Sequence, residues 1–193
     1  MRPPDRERWD ARHRAALTGD EPPRPPADWL VAHAGLLPPA GRALDVACGL
    51  GRNALWLAGR GLEVDAVDVS GVAVEAVLAR ARAQDLPVHA LRRDVEADGL
   101  PEGPYDVVVD VAFLVRALVP DLCRVLAPGG LLLFDTFVAD DGPGPVHGPR
   151  DPAFVLRRGE LVRLVAGLEV LELREDRPAP GEHARARLVG RRR

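Results

Sequence analysis

The stretch from Ala43 to Gly59, A-L-D-V-A-C-G-L-G-R-N-A-L-W-L-A-G, constrains the fold more than any other part of the chain. Ala43 to Val46 is a short apolar strand that carries Asp45. Gly49 and Gly51 follow at once, and from Arg52 the apolar residues Ala54, Leu55, Leu57 and Ala58 recur at helical spacing. Strand, glycine turn and helix in that order form the first unit of a doubly wound α/β sheet, whose ligands sit outside the carboxyl ends of the strands. Glycine lets such a turn reach left-handed dihedrals and bring its backbone close to a ligand.

The rest of the chain repeats the unit. Leu62 to Val69 is a strand ending near Asp68, and Ser70 caps a helix over 72–83 whose Val74, Val77, Leu78 and Ala81 form one stripe. Pro87 to Leu91 is a third strand, followed by Asp94. The run Y-D-V-V-V-D-V at 105–111 has the near-continuous apolar character of a central parallel strand and reaches Asp110. A helix over 120–126 and the turn P-G-G at 128–130 lead into a fifth strand, 131–134, and then Asp135. A helix over 158–166 and two strands, 168–174 and 183–189, follow. Only a turn-rich segment separates these two, so they pair as an antiparallel hairpin. Arg191 to Arg193 reads as a frayed, solvated tail.

Ahead of the glycine turn, residues 1–39 form an N-terminal helical flap and Pro-rich linker, and residues 40–193 the main domain. The flap holds a polar helix over 5–17 with Trp9 as its anchor, an extended E-P-P-R-P-P segment, and a short helix over 29–37 capped by Asp28. The segment 139–152 is rich in Gly and Pro, has no periodicity, and reads as a loop that is functional or disordered.

Composition narrows the chemistry. The 193 residues carry a net charge of −3, which gives no electrostatic footprint for nucleic acid. No apolar run is long enough to span a membrane and the N-terminus is not signal-like, so the expected compartment is the cytoplasm. Cys48 and Cys123 lack metal-ligand spacing, and no metal is expected. The chain has no lysine and one serine, Ser70, outside any G-x-S-x-G elbow, which removes Schiff-base, Walker-loop and serine-hydrolase chemistry.

Asp45, Asp68, Asp94, Asp110 and Asp135 fall at or near the ends of five strands, on one edge of the predicted sheet. Helix capping accounts for two or three of them; five in succession form an anionic rim. G-L-G-R-N-A at 49–54 matches G-x-G-x-x-[G/A], so an NAD(P)-dependent oxidoreductase is an alternative. A pyrophosphate, however, wants bare N–H groups and few carboxylates nearby. S-adenosylmethionine carries a sulfonium and an ammonium, and opposite charges about 4 Å apart attract by roughly 4 kcal/mol at an effective dielectric of 20. The rim favours S-adenosylmethionine.

The same residues resemble the class I S-adenosylmethionine-dependent methyltransferases. L-D-V-A-C-G-L-G at 44–51 is similar to their first motif, V-D-V-S at 67–70 to the second, R-D-V at 93–95 to the third, Y-D-V-V-V-D to the fourth, and L-A-P-G-G-L-L-L-F at 126–134 to the signature before the fifth strand. W-D-A-R-H-R near the start, C-G-L-G-R-N and G-P-R-x-P-x-F-x-L-R-x-G-E-L further resemble the small-molecule branch that includes tellurite-resistance-type methyltransferases. The resemblance implies a Rossmann-like seven-stranded sheet in the order 3-2-1-4-5-7-6 with strand 7 antiparallel. It also implies cofactor contacts by Asp45, Ala47, Gly49, Gly51, Asn53, Asp68, Val69, Asp94, Val95, Asp110 and Val111. Ala47 stands where the family's first glycine is usual. On the acceptor side the catalytic candidates are His147, Arg150 and Arg116, with Phe113, Thr136 and Phe137 near them. Arg150, Arg157 and Arg158 are candidates for a lid over an anionic acceptor, and Arg12, His13 and Arg14 for a cover over the cofactor. The expected activity is methyl transfer to a small-molecule acceptor by in-line displacement, from a monomer or homodimer. A binding module without catalysis is a further alternative.

Overall fold

A computed structural model describes residues 3–19, 22–139, 149, 151–177 and 182–193. A helix α1 (Pro3–Thr18) and a short α2 (Asp28–Ala32) precede the sheet, with a 3₁₀ turn at Ala34–Leu36 between them and it. Strands β1 (Gly41–Val46), β2 (Leu62–Asp68), β3 (Val88–Arg92), β4 (Tyr105–Val111) and β5 (Leu126–Phe137) follow, with α3 (Arg52–Ala58) after β1, α4 (Gly71–Ala83) after β2 and α5 (Val119–Arg124) after β4, while β3 leads to β4 without a helix. The helix α6 (Glu160–Leu164) leads into β6 (Leu168–Asp176) and β7 (Arg185–Arg192). The seven strands form one sheet in the order β3-β2-β1-β4-β5-β7-β6, parallel except for β7, which is antiparallel to both β5 and β6. That is the expected order.

Side chains alternate across each strand, and the alternation divides the core in two. Ala43, Val64, Ala66, Val107, Val109, Leu131 and Leu133 face α2, α3 and α4, where Leu30, Leu57 and Val77 are buried. Leu44, Val46, Val108, Leu132, Phe134 and Leu188 face α5 and α6, where Leu122 and Leu161 are buried. Helices on both faces explain why the central strands are apolar throughout.

The local differences have simple causes. The helix expected over 29–37 is only Asp28–Ala32, because its last turn tightens into the 3₁₀ segment; Ala27 is the cap and Asp28 lies within the first turn. Pro128 to Gly130 lie inside β5 rather than ahead of it, and the β4–β5 register shifts between Tyr105 and Val107 to accommodate them. The tail is not frayed. Arg191 pairs with Leu131 and Glu169's strand, Arg192 lies opposite Leu168, and the Arg192 guanidinium donates to the carbonyls of Arg124 and Leu126. Periodicity ended the strand at Val189 because Gly190 and three arginines follow; sheet pairing on both sides carries it onward. No helix among the described residues is long and apolar enough to cross a membrane.

Candidate cofactor site

The carboxyl edge of β1 to β5 carries the expected carboxylates, and all are buried. Asp45 is 1% exposed, Asp68 7%, Asp94 7%, Asp110 1% and Asp135 9%. Each is held differently, and the differences set its chemistry.

Asp45 leaves β1 pointing at α3, and its Oδ2 accepts the N–H of Ala54 at 3.0 Å. Burial raises its pKa from the usual 3.8 to about 7, against the opposing pull of the Ala54 N–H and Arg52. Asp68 spans the turn: one oxygen accepts the Gly49 N–H at 2.9 Å, the other the Ser70 N–H at 2.8 Å. A carboxylate offers about four acceptor positions, so each oxygen retains one. Asp94 begins a turn in which its Oδ1 accepts the N–H groups of Glu96 and Ala97, at 3.2 and 3.4 Å, and Val95 beside it is buried. Arg93 fixes this turn through the carbonyls of Gly99 and Asp98.

Asp110 is the exception. Its Oδ1 is buried with no hydrogen-bond partner, and burial, with Asp45 nearby, drives its pKa well above the ordinary carboxylate range. Thr136, one strand over, also has a buried hydroxyl without a partner. Such groups are costly, by about 1–3 kcal/mol each, so they ask for an explanation. Asp135 is paired with Arg185 of β7 at 2.7 Å, and Arg185 also lies 4.3 Å above the Phe137 ring.

The turn between β1 and α3 is left-handed at three positions: Ala47 (φ 51°), Gly49 (φ 53°) and Gly51 (φ 80°). Gly51 is needed for packing, since a Cβ there would meet Val77 Cγ2 at 2.6 Å. Gly49 faces outward; a Cβ there would meet only His13 Cε1, at 3.4 Å. The N–H groups of Cys48, Gly49 and Gly51 are already used, by Val67 O, Asp68 and Cys48 O. Cys48 is a buried filler whose thiol pKa is pushed up by burial.

The remaining expected positions divide. Asn53 is buried, and its side-chain oxygen accepts the Ala27 N–H at 2.9 Å, so it ties the N-terminal segment to α3. Val69 is buried next to Asp68, and Val111 packs against the core at the end of β4. Arg116 donates to both oxygens of Glu160 and to the carbonyls of Ala153 and Val155, which clamps residues 153–160 to the α5 side of the sheet. His147 and Arg150 lie outside the described residues. Asp10 and Arg52 lie within the motifs W-D-A-R-H-R and C-G-L-G-R-N but were not assigned a role from sequence, and Arg185 is marked only by its tertiary partner Asp135. Among the described residues, no three or more of His, Cys, Asp and Glu are grouped to hold a metal ion.

Comparison with known proteins bears on this edge. Residues 43–130 match the family described as a methyltransferase domain. The chain is 33% identical over 140 residues to hemagglutinin 1 of Eikenella corrodens, covering 69% of this chain and 46% of that one. It is 36% identical over 107 residues to malonyl-[acyl-carrier protein] O-methyltransferase of Enterobacter lignolyticus, covering 53% and 41%. The chain thus spans less than half the length of these relatives. Among solved structures it resembles TehB of Haemophilus influenzae, with a TM-score of 0.72 and 21% identity over 86% of this chain and 62% of that one. Magnesium protoporphyrin IX methyltransferase of Synechocystis PCC 6803, solved with S-adenosylmethionine bound, gives a TM-score of 0.70 at 16% identity, covering 98% and 95%.

Proposed function

We propose that the chain is a class I S-adenosylmethionine-dependent methyltransferase, a reading supported by the methyltransferase-domain match over residues 43–130, and that it transfers a methyl group from S-adenosylmethionine to a small-molecule acceptor. One observation carries the choice of cofactor. The turn's N–H groups at Cys48, Gly49 and Gly51 are spent internally, while buried carboxyl groups crowd the same edge. A pyrophosphate needs those N–H groups and is repelled by those carboxylates. A ligand with an ammonium and hydroxyl groups has the opposite requirements, so the residues fit S-adenosylmethionine.

In this reading the backbone at Gly49 and Gly51 underlies the methionyl part, and the Asp45 carboxyl receives its ammonium. The spare acceptor positions of Asp68 receive the ribose hydroxyls, and Asp94 with the Val95 backbone holds the adenine. Asp110 and Val111 border the reacting methyl. The cofactor supplies a methyl group already activated on a sulfonium. The protein's task is to align the acceptor in line and exclude water, and positioning of this kind is worth roughly 7–11 kcal/mol. The buried orphan oxygens of Asp110 and Thr136 lie on adjacent strands at the edge where an acceptor enters.

A thermal-shift titration with S-adenosylhomocysteine and NAD(P)H tests the reading. At a hundred times its dissociation constant a ligand stabilises by about 2.7 kcal/mol, several degrees in a domain of this size. Stabilisation by S-adenosylhomocysteine alone is expected. Stabilisation by NAD(P)H alone overturns the proposal.

A further inference from the structure

Helix α1 is polar almost all round. Of its side chains from Arg6 to Thr18, only Trp9, Asp10 and His13 are half-buried; the rest are exposed. A helix without an apolar stripe is not held down by a hydrophobic seam, so what holds α1 is specific. Asp10 Oδ1 accepts the Ser70 hydroxyl at 2.6 Å and the Val72 N–H at 3.4 Å. One turn further on, His13 reaches Gly49, its Cε1 lying 3.4 Å from where a Cβ would stand, and its ring stacks with Trp9 at 5.7 Å between centroids.

These contacts close a ring. Asp68 accepts from Gly49 and Ser70, Ser70 donates to Asp10, and α1 carries the chain from Asp10 to His13, which returns to Gly49. The ring runs through the one glycine of the turn that faces outward and through the carboxylate assigned to the ribose. His13 sits close enough to Asp68 to feel its charge, yet burial pulls its pKa below the usual 6.5, so the ring is neutral at pH 7. A neutral imidazole presents one N–H donor and one acceptor: a ribose hydroxyl can meet either nitrogen, and an amino-acid carboxylate can accept from the N–H.

We propose that His13 is a cofactor-contacting residue, that Asp10 positions it, and that α1 is the roof of the cofactor site. The inference rests on the S-adenosylmethionine reading of that site. Bound S-adenosyl nucleoside runs along Gly49 and Asp68 with His13 against its flank, since His13 Cε1 already lies at contact distance from a Cβ placed on Gly49. Entry and release require the Asp10–Ser70 contact to open.

Calorimetric titration of the full chain with S-adenosylhomocysteine tests this. His13→Ala is expected to weaken binding about tenfold, the loss of a hydrogen bond to a polar or charged ligand group, and His13→Gln to recover part of it. Asp10→Ala is expected to match His13→Ala and to speed dissociation, and Asp10→Glu to restore affinity. Arg6→Ala, on the exposed face of the same helix, is expected to bind like wild type. Urea unfolding of free His13→Ala and Arg6→Ala is expected to be unchanged within about 0.5 kcal/mol, since α1 lies outside the core, while Asp10→Ala, which removes the acceptor of the buried Ser70 hydroxyl, is expected to lose about 1 kcal/mol. Wild-type affinity in both His13→Ala and Asp10→Ala overturns the roof and leaves the cofactor reading standing. Equal weakening in His13→Ala and Arg6→Ala overturns the assignment of His13. No binding by the wild-type chain overturns the cofactor reading, and the roof with it.

Discussion

The buried carboxyl of Asp45 makes a quantitative demand on stability. Its pKa is about 7 in the folded chain against 3.8 when exposed, because burial penalises the charged form. The folded state therefore binds a proton that the unfolded state releases, and between these two values stability falls as pH rises. Below about pH 4 both states are protonated and nothing is lost. Above about pH 7 both are ionised and the full cost is reached. Three units at 1.36 kcal/mol each give roughly 4 kcal/mol. Asp45→Asn keeps an oxygen for the Ala54 N–H but cannot ionise. The ligand-free variant is thus expected to equal wild type near pH 4 and to exceed it by up to about 4 kcal/mol at pH 8. Urea unfolding of both proteins at pH 4, 5, 6, 7 and 8 measures the difference. A difference that does not change with pH, or that shrinks as pH rises, refutes the argument. The same substitution removes the group assigned to the cofactor's ammonium, so S-adenosylhomocysteine is expected to stabilise the variant far less than wild type at pH 8. A more stable protein with a poorer site is the signature to look for.

Three further outcomes follow from the geometry. Gly49→Val forces a β-branched residue into a left-handed position and fills the outward face; a stability loss of about 1–2 kcal/mol and no thermal stabilisation by S-adenosylhomocysteine are expected, read by melting curves with and without ligand. Ala47→Gly relieves the same backbone conformation at a position with φ 51°, at an offsetting entropy cost of about 0.5–1 kcal/mol; stability within about 1 kcal/mol of wild type and undiminished ligand binding are expected, and tenfold weaker binding in a titration counts against the account of the turn. Arg116→Ala unfastens residues 153–160; a loss of about 1 kcal/mol is expected for this partly exposed clamp, together with faster hydrogen exchange confined to that segment. Arg116 holds the Glu160 carboxyl below its usual range, so the clamp's contribution is present above that range and fades as pH falls through it.

Much of the sheet was legible because its signals are local. An apolar run that reaches an aspartate, followed by a glycine turn or cap and a stripe at helical spacing, is complete within a short stretch of chain, as in β1–α3 and β2–α4; the order of the seven strands came from the resemblance those motifs carry. The carboxylate rim was legible for the same reason. What escaped depends on residues brought together from far apart. Nothing around Arg185 announces that it pairs with Asp135, 50 residues earlier. Asn53 looked like a ligand group beside the glycine turn, yet its oxygen serves the backbone of Ala27. Arg116, read as a candidate for the reaction, has its donors committed to Glu160 and two carbonyls. In each case the side chain's type was informative and its partner was not encoded nearby. Arg191 and Arg192 failed differently: charge suggested solvent, but their backbones belong to a ladder whose other rails are β5 and β6.

The position of β7 between β5 and β6 has a consequence for how the protein is made. On the ribosome β6 emerges before the strand it must pair with, and the open side of β5 has no neighbour until Arg185 to Arg192 follow. Until then Leu131 to Phe137 present an unprotected, largely apolar rail to the cell, the kind of edge that recruits other chains. Translation that stalls in the linker after Asp176 leaves a nascent chain with a nearly complete cofactor edge and an unfinished sheet. Such a product is a client for chaperones and proteases before its sheet is closed.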